Sequence, residues 1–421
     1  MRLWLLLAFL LLQCSPPAPE GAPTALARES VRTGAQVLAE SGFDLLAGKR
    51  VGLIVNHTAV VDSVHLVDLV HDAPNVELAA IFGPEHGLRG TADAGEAVAD
   101  GRDGRTGAPI FSLYGQTRKP TPEMLAGLDV LVFDIQDIGA RFYTFISTMG
   151  LAMQAAAEAG LPFVVLDRPN PLGGEHVAGF ALDPQYTSFV GQYPIPIVHG
   201  LTVGELARMI QGEAMLPGLE SLDLQVVAMT GWARSMQWPQ TGLPWVKTSP
   251  NIPDFETALI YPGACFFEGT EASEGRGTHD PFRHVGAPWA DGQTLADTLN
   301  ARRLPGVRFE ALQFTPRSIS GMSANPKLQD TPLQGVRYVV TDAAAFRPVE
   351  AGVHALHAFY RQAPSAERAS FFNARWLHRL AGTDRLHTLL TADATPQAII
   401  AAWQDEVAAF RQRRAAYLLY E

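Results

Sequence analysis

Residues 81–90 read IFGPEHGLRG, which places Glu85 and His86 side by side and Arg89 close behind them. A carboxyl group, an imidazole and a guanidinium this close can donate a proton, accept one and hold an anion, as general acid–base catalysis requires. Gly83-Pro84 breaks the apolar run Val76–Phe82 just before them and Gly87 follows, so the backbone turns the polar groups outward instead of covering them. Two further apolar runs also finish in polar clusters. VLVFDIQD ends in Asp134, Gln136 and Asp137 and leads through Gly139 to Arg141 and Tyr143, while FVVLDRPN ends in Asp167, Arg168 and Asn170. Structural roles compete with chemical ones. Asp134 could cap the following helix or pair with Arg141 or Arg168, and Asp167-Arg168 could fix a turn as an ion pair.

The segment EGTEASEGRGT, Glu268 to Thr278, brings carboxylates and Arg276 together on a Gly-rich stretch, with His279, Asp280 and His284 behind it. It lacks the regular oxygen-ligand spacing of a calcium loop. His279 and His284 have no third partner at zinc-site spacing. Glu274 and Arg276 are therefore read as substrate-site residues, and neither a metal nor a cofactor is expected.

The elements that must position these groups are legible as alternating patterns. RVGLIVN, VELAAIFG, VLVFDIQD, LPFVVLDRPN and LDLQVVAMTG are the apolar runs of strands, most of them continuous as in a parallel sheet covered on both faces. VHLVDLVHDA, TPEMLAGLD, TFISTMGLAMQAAAEAG and TVGELARMIQGEA read as the helices between them. The fold class expected is α/β: a Rossmann-like open parallel sheet over residues 30–240, with a smaller C-terminal α+β domain over 241–421 completing a cleft. In such sheets ligands bind beyond the carboxyl ends of the strands, where the polar clusters fall. From Trp232 to Thr278 the chain is dense in Pro, Gly and Trp and reads as a long functional loop, its aromatic residues suited to stacking on sugar rings.

Composition narrows the partners. Over 421 residues the formal net charge is −11, which argues against nucleic acid, since phosphate binding needs an excess of Lys and Arg. Neutral sugars are not disfavoured. No G-x-G-x-x-G follows the first strand and no G-x-x-x-x-G-K-[ST] is present, which argues against dinucleotide and P-loop chemistry. No G-x-S-x-G elbow occurs either, so an α/β-hydrolase is excluded. Residues 1–14, MRLWLLLAFLLLQC, combine a basic start with an apolar run of signal-peptide length. They resemble a bacterial lipobox ending at Cys14, with Gln13 where a small residue is usual. Residues 15–29 read as a Pro/Ala-rich tether. Export is expected, to the periplasm or as an outer-membrane-anchored lipoprotein, with membrane contact only through a lipid on Cys14.

FGPEHGLRG, FDIQDIGARFYTF, VLDRPNPLGG, HGLTVGELA, TSPNIP and FEGTEASEGRGT, in this order, resemble the exo-β-N-acetylmuramidases, glycoside hydrolases of peptidoglycan recycling long catalogued as a domain of unknown function. The resemblance runs from about residue 30 to the C-terminal AAYLLYE. It implies release of N-acetylmuramic acid from the non-reducing end of peptidoglycan-derived glycans, in a cleft between a Rossmann-like domain and a smaller α/β domain. It also implies that Glu85 is the catalytic acid, with His86 beside it and Glu274 and Arg276 at the site.

Glycosidic cleavage usually takes two acid/base groups, one protonating the leaving oxygen. Asp134, Asp137 and Glu274 are the candidates for the second group. The lactyl carboxylate of muramic acid calls for a cation, with Arg89, Arg141, Arg168 and Arg276 as candidates. Two alternatives stay open: a non-catalytic muropeptide-binding lipoprotein, and a hydrolase of another amino sugar.

Overall fold

The computed structural model describes residues 30–85, 87–88 and 100–421. The leader, Cys14, the tether, His86 and Arg89 lie outside the described residues.

The sheet has strands β1 (Arg50–Val55), β2 (Glu77–Gly83), β3 (Gly101–Arg102), β4 (Pro109–Ser112), β5 (Val130–Asp134), β6 (Phe163–Leu166) and β7 (Leu224–Val227); the five expected apolar runs supply β1, β2, β5, β6 and β7, while β3 and β4 are not among the expected strands. They form one sheet in the order β3-β4-β2-β1-β5-β6-β7, parallel throughout except for the β3–β4 edge pair. The order reverses between β1 and β5, the switch point of a doubly wound sheet.

Alternation along each strand feeds two apolar layers. Leu53, Val55, Ile81, Val132 and Val164 face one core, with α1 (Gly34–Glu40) and α2 (Leu66–Asp72) over it. Ile54, Phe82, Phe133, Phe163 and Val165 face the other, under α3 (Phe145–Ala159) and α4 (Val203–Gly212). Thr202 and Glu205 start α4 with a capping box, which satisfies amide donors that a helix leaves unpaired.

The second core layer continues without a break into the smaller domain, through Tyr261, Phe266, Phe282 and Phe359. That domain contains α5 (Phe255–Ala264), β8 (His284–Ala287), α6 (Gly292–Asn300), β9 (Val307–Phe314), β10 (Leu333–Val340), α7 (Pro348–Gln362) and α8 (Ala374–Ala381). Its strands pair antiparallel in the order β8-β10-β9, and further helices follow, the last being Gln404–Arg414. Burying one apolar layer against both domains makes them a continuous packed unit.

The stretch read as a long loop is interrupted by α5. Its residues Thr257–Ala264 are all buried, so no polar stripe betrays a helix, and Pro262 and Gly263 mask it further. Gly263 has a reason to lack a side chain: a Cβ there would sit 2.0 Å from the Pro348 carbonyl, where α5 and α7 touch.

Candidate active site

β2 ends at Gly83, and two residues later the chain presents Glu85, half-buried. The turn closes through the Gly87 amide donating to the Pro84 carbonyl at 2.9 Å, with Gly87 at φ +70°, a conformation that disfavours a side chain. The Thr144 hydroxyl donates to Glu85 Oε2 at 2.6 Å. Thr144 is also the N-cap of α3, so the Glu85 carboxyl lies beside the positive end of a 15-residue helix. Tyr114 stands on the other side within hydrogen-bonding reach, its phenol pushed up by burial and by the charge of Glu85. Tyr143, adjacent in sequence to Thr144, is buried and donates its hydroxyl to Thr248 Oγ1 at 2.7 Å. Burial likewise pushes its phenol up.

These groups line a cleft of about 1070 Å³ whose opposite wall comes from the smaller domain. There Glu268 accepts from Arg276 at 2.8 Å, and Arg276 lies over the Phe282 ring at 4.9 Å from its centre. Burial alone would lower the Arg276 guanidinium, but the charges of Glu268 and Glu274 hold it above its usual value. Trp376 and Arg379 reach the same cleft from α8, and Arg118 reaches it from the first domain, stacked 4.4 Å over Phe189. Among the described residues neither Arg118 nor Arg379 has a carboxylate partner, whereas the other arginine of the cleft, Arg276, is paired. The cleft therefore offers unmatched positive charge to an anionic ligand. No group of three or more His, Cys, Asp or Glu among the described residues is arranged to hold a metal ion.

Of the residues singled out in the sequence, Glu85, Tyr143 and Arg276 meet in this cleft. His86 and Arg89 lie outside the described residues; the remaining ones lie elsewhere, because the rim of the sheet is not one continuous site. Asp134 is fully buried and held bidentately by Arg168, Oδ1 to Nε at 2.5 Å and Oδ2 to Nη2 at 2.8 Å, which takes both groups out of the cleft. Gln136 spends its amide on the carbonyls of Asp137 and Pro169. Asp137 is buried and accepts from the Gly139 amide at 2.6 Å; burial pushes its carboxyl up to about 7, against the opposing pull of backbone amides. Arg141 donates to the carbonyls of Phe180, Ile195 and Leu380, tying α8 to the first domain. Without a carboxylate in contact, burial pulls its guanidinium down to about 9.

Asp167 accepts from Thr202, the Gly204 amide and Tyr420, so it joins strand, helix and C-terminal tail. Asn170 bridges Leu201 and Leu172. Glu274 is buried behind Arg276, with Lys327 Nζ 2.8 Å away. Gln136 and Arg168 instead line a separate pocket of about 150 Å³, with Thr58, Trp238 and Leu243. It sits at the switch point, where the 238–246 segment has largely filled the crevice that doubly wound sheets use for ligands. Of the aromatics expected along a sugar groove, Tyr261 reaches the cleft, while Trp238 and Trp245 pack edge to face against each other at 5.1 Å.

Sequence reasoning missed Tyr114, Arg118, Thr144, Asn251, Glu268, Trp376 and Arg379. Glu268 opens the acidic segment that drew attention to Glu274, and the two exchange places: the 3₁₀ turn Cys265–Gly269 brings Glu268 to the cleft, while Glu274 turns into the protein. Thr144 carried a usable signal, a threonine at the start of a helical pattern seven residues after Asp137.

Two family profiles together span most of the chain: "Exo-beta-N-acetylmuramidase NamZ, N-terminal" matches residues 51–256, and "Exo-beta-N-acetylmuramidase NamZ, C-terminal" matches residues 259–420. The chain is 42% identical over 416 residues to the peptidoglycan beta-N-acetylmuramidase NamZ of Bacillus subtilis (strain 168), an alignment covering 99% of this chain and 97% of that protein. Crystal structures of two DUF1343 family proteins from Bacteroides fragilis NCTC 9343 share the fold. One superposes with a TM-score of 0.86 at 39% identity, covering 94% of this chain and all of that one. The other gives 0.76 at 33% identity, covering 93% and 99%. Matched in sequence and in fold along nearly its whole length, the chain belongs to the exo-β-N-acetylmuramidase NamZ family.

Proposed function

We propose that this protein is an exo-acting glycoside hydrolase that releases N-acetylmuramic acid from the non-reducing end of peptidoglycan fragments. The observation that carries the proposal is the placing of Glu85: oriented by Thr144 at 2.6 Å on the wall of a two-domain cleft. A carboxyl group so held can deliver a proton to the leaving oxygen without reorganising, and proton donation of this kind is worth ~10²–10⁴-fold in rate. The opposing Glu268, oriented by Arg276, is the carboxylate placed to act as the second group.

The cleft, at about 1070 Å³, lies at the upper end of ligand-pocket sizes and accommodates a disaccharide. Arg118 and Arg379 supply unpaired guanidinium groups for the lactyl carboxylate, taking the role expected of Arg141 and Arg168, which are buried on other partners and do not line the cleft. Turnover of an aryl β-N-acetylmuramide, compared with the matching N-acetylglucosaminide, tests the proposal. Hydrolysis of the first alone is expected. Equal rates would point to another amino sugar, and binding without turnover to a muropeptide-binding protein.

Export and lipid anchoring at Cys14 belong to the same proposal, supported by the basic start, the apolar run and the lipobox-like LLQC. The expected location is the periplasm or the periplasmic face of an outer membrane. Labelling with a radioactive fatty acid should be lost in Cys14→Ser; retention of label in that variant would remove the anchor from the proposal.

A further inference from the structure

Lys327 gives up water for a cage of protein oxygens. Its Nζ donates to the carbonyls of Phe267, Thr270 and Ala272 at 2.6, 3.0 and 2.6 Å. An ammonium has three N–H donors, and the carbonyls take them all. Glu274 Oε2 stands 2.8 Å from the same nitrogen as a contact of charge alone. Lysine side chains mostly stay in solvent and are costly to order, so a lysine committed this fully holds something in place. What it holds is the cleft wall. Phe267 and Thr270 bracket Glu268 at the end of the 3₁₀ turn that carries it, and Ser323 and Asn325, just before Lys327 in the chain, line the cleft themselves.

The ammonium also reaches Glu268 through charge. Arg276 lies between two carboxylates, 2.8 Å from Glu268 Oε1 and 3.6 Å from Glu274 Oε1, while Lys327 stands against the other oxygen of Glu274. Positive and negative groups therefore alternate along Lys327, Glu274, Arg276 and Glu268. Without the ammonium, Glu274, only 2% exposed, would have Arg276 as its one cation and would draw the guanidinium inward from Glu268. We propose that Lys327 is a positioning residue for the second carboxylate: its ammonium fixes the backbone on both sides of Glu268 and balances Glu274, which leaves Arg276 to orient Glu268 in the cleft. This role rests on the muramidase proposal for the part that Glu268 plays.

Lys327→Ala empties the cage, and n-propylammonium replaces the atoms that the truncation removes. The variant should lose roughly 10- to 100-fold in kcat on an aryl β-N-acetylmuramide with KM little changed, since a misplaced catalytic group costs rate more than binding. Saturating n-propylammonium should restore much of the rate, and neutral n-propanol should not. Lys327→Met, whose stem fills the emptied channel, should show the same loss without rescue, and it carries the test if Lys327→Ala does not fold. An unchanged kcat, a loss confined to KM, or equal rescue by n-propanol would overturn the assignment.

The pH profile separates positioning from a general loosening of the fold. The groups facing Glu268 are Arg276, the Tyr261 phenol and the Cys265 thiol, with Glu274 and Lys327 behind them, and burial keeps the phenol and the thiol neutral. With Arg276 drawn away, the Glu268 carboxyl would keep its proton to higher pH. The acid limb of the kcat profile should therefore move up in Lys327→Met, while the alkaline limb set by Glu85 stays; an unmoved acid limb would overturn the assignment. A wild type that cleaves no aryl muramide would end the hydrolase proposal alone. The cage is then read from melting temperature, which n-propylammonium should raise in Lys327→Ala and leave unchanged in wild type.

Discussion

Arg168 grips both carboxylate oxygens of Asp134 at the carboxyl end of β5, at 2.5 and 2.8 Å, with neither side chain more than 5% exposed. Desolvating two charges is costly, and only the mutual pairing offsets it. Removing one partner leaves the other buried and unmatched. Asp134→Asn and Arg168→Met should each cost about 3–5 kcal/mol in urea unfolding, while the apolar pair Asp134→Leu with Arg168→Met should recover most of the loss. Additive losses in the double variant would contradict the pairing.

Proton donation by Glu85 would show in the rate. Glu85→Gln should lower kcat by ~10²–10⁴-fold with KM little changed, since the amide keeps the shape and loses the proton. Thr144→Val removes only the hydroxyl that holds Oε2 and should lower kcat by a smaller factor, again with KM conserved. A KM effect without a kcat effect at either position would reassign it to substrate binding.

How far the sequence reveals this site depends on the distance over which each residue acts. β1, β2, β5 and β6 are visible because continuous apolar runs are a local property, and Glu85 is visible because Gly83-Pro84 and Gly87 mark its exposure locally. Whether Asp134 is chemical or structural is decided by Arg168, 34 residues away, and no local pattern chooses between Arg168 and Arg141 as its partner. Arg379 sits on α8 among ordinary amphipathic residues, and its relation to Glu85 exists only once the domains pack. α5 stayed hidden for the opposite reason: it is buried all round, and helical periodicity is visible only when one face meets water.

Under the proposed function, Arg118 and Arg379 would set specificity for the lactyl group. Arg379→Gln and Arg118→Gln should each raise KM for a muramyl substrate, and do so together more than singly, because unpaired guanidinium groups bind a carboxylate with charge-assisted hydrogen bonds. Arg379→Lys should restore only part of the affinity, as an ammonium cannot reproduce the planar fork. Competition by free N-acetylmuramic acid measures the effect directly. If competition by N-acetylglucosamine weakens equally, the two arginines are not reading the carboxylate.

Stability should depend on pH through groups buried in their neutral forms. Burial raises Asp137 from 3.8 to about 7, so between those values the folded chain binds a proton that the unfolded chain has released. That contribution to stability falls as pH rises from about 4 to about 7. Burial, with help from the charges of Arg414 and Arg141, lowers His199 from 6.5 to about 3, so its contribution falls as pH drops through that range. The two slopes oppose each other in wild type and are read by substitution. Asp137→Asn should be relatively more stable at pH 8 than at pH 4; the reverse order in thermal melts would show that the carboxyl is ionised in the folded state.

The end of the chain is a clamp on the first domain. Tyr420 donates its hydroxyl to Asp167 Oδ2 at 2.6 Å and meets Trp232 edge to face at 5.1 Å, the Leu419 amide donates to Glu205 Oε1 at 2.9 Å, and the Glu421 carbonyl accepts from the Arg234 amide at 2.8 Å. Asp167 and Glu205 are both fully buried, so the tail satisfies acceptors that water does not reach. Tyr420→Phe should cost about 1–3 kcal/mol, because it leaves a buried carboxylate oxygen one donor short while keeping the ring against Trp232. Deleting residues 418–421 should cost more, since it withdraws every one of these contacts at once. Activity at low temperature should survive both changes, because the tail does not line the cleft. Loss of activity in folded Tyr420→Phe would show that Asp167, through Arg168 and the end of β6, helps to set the geometry of the site.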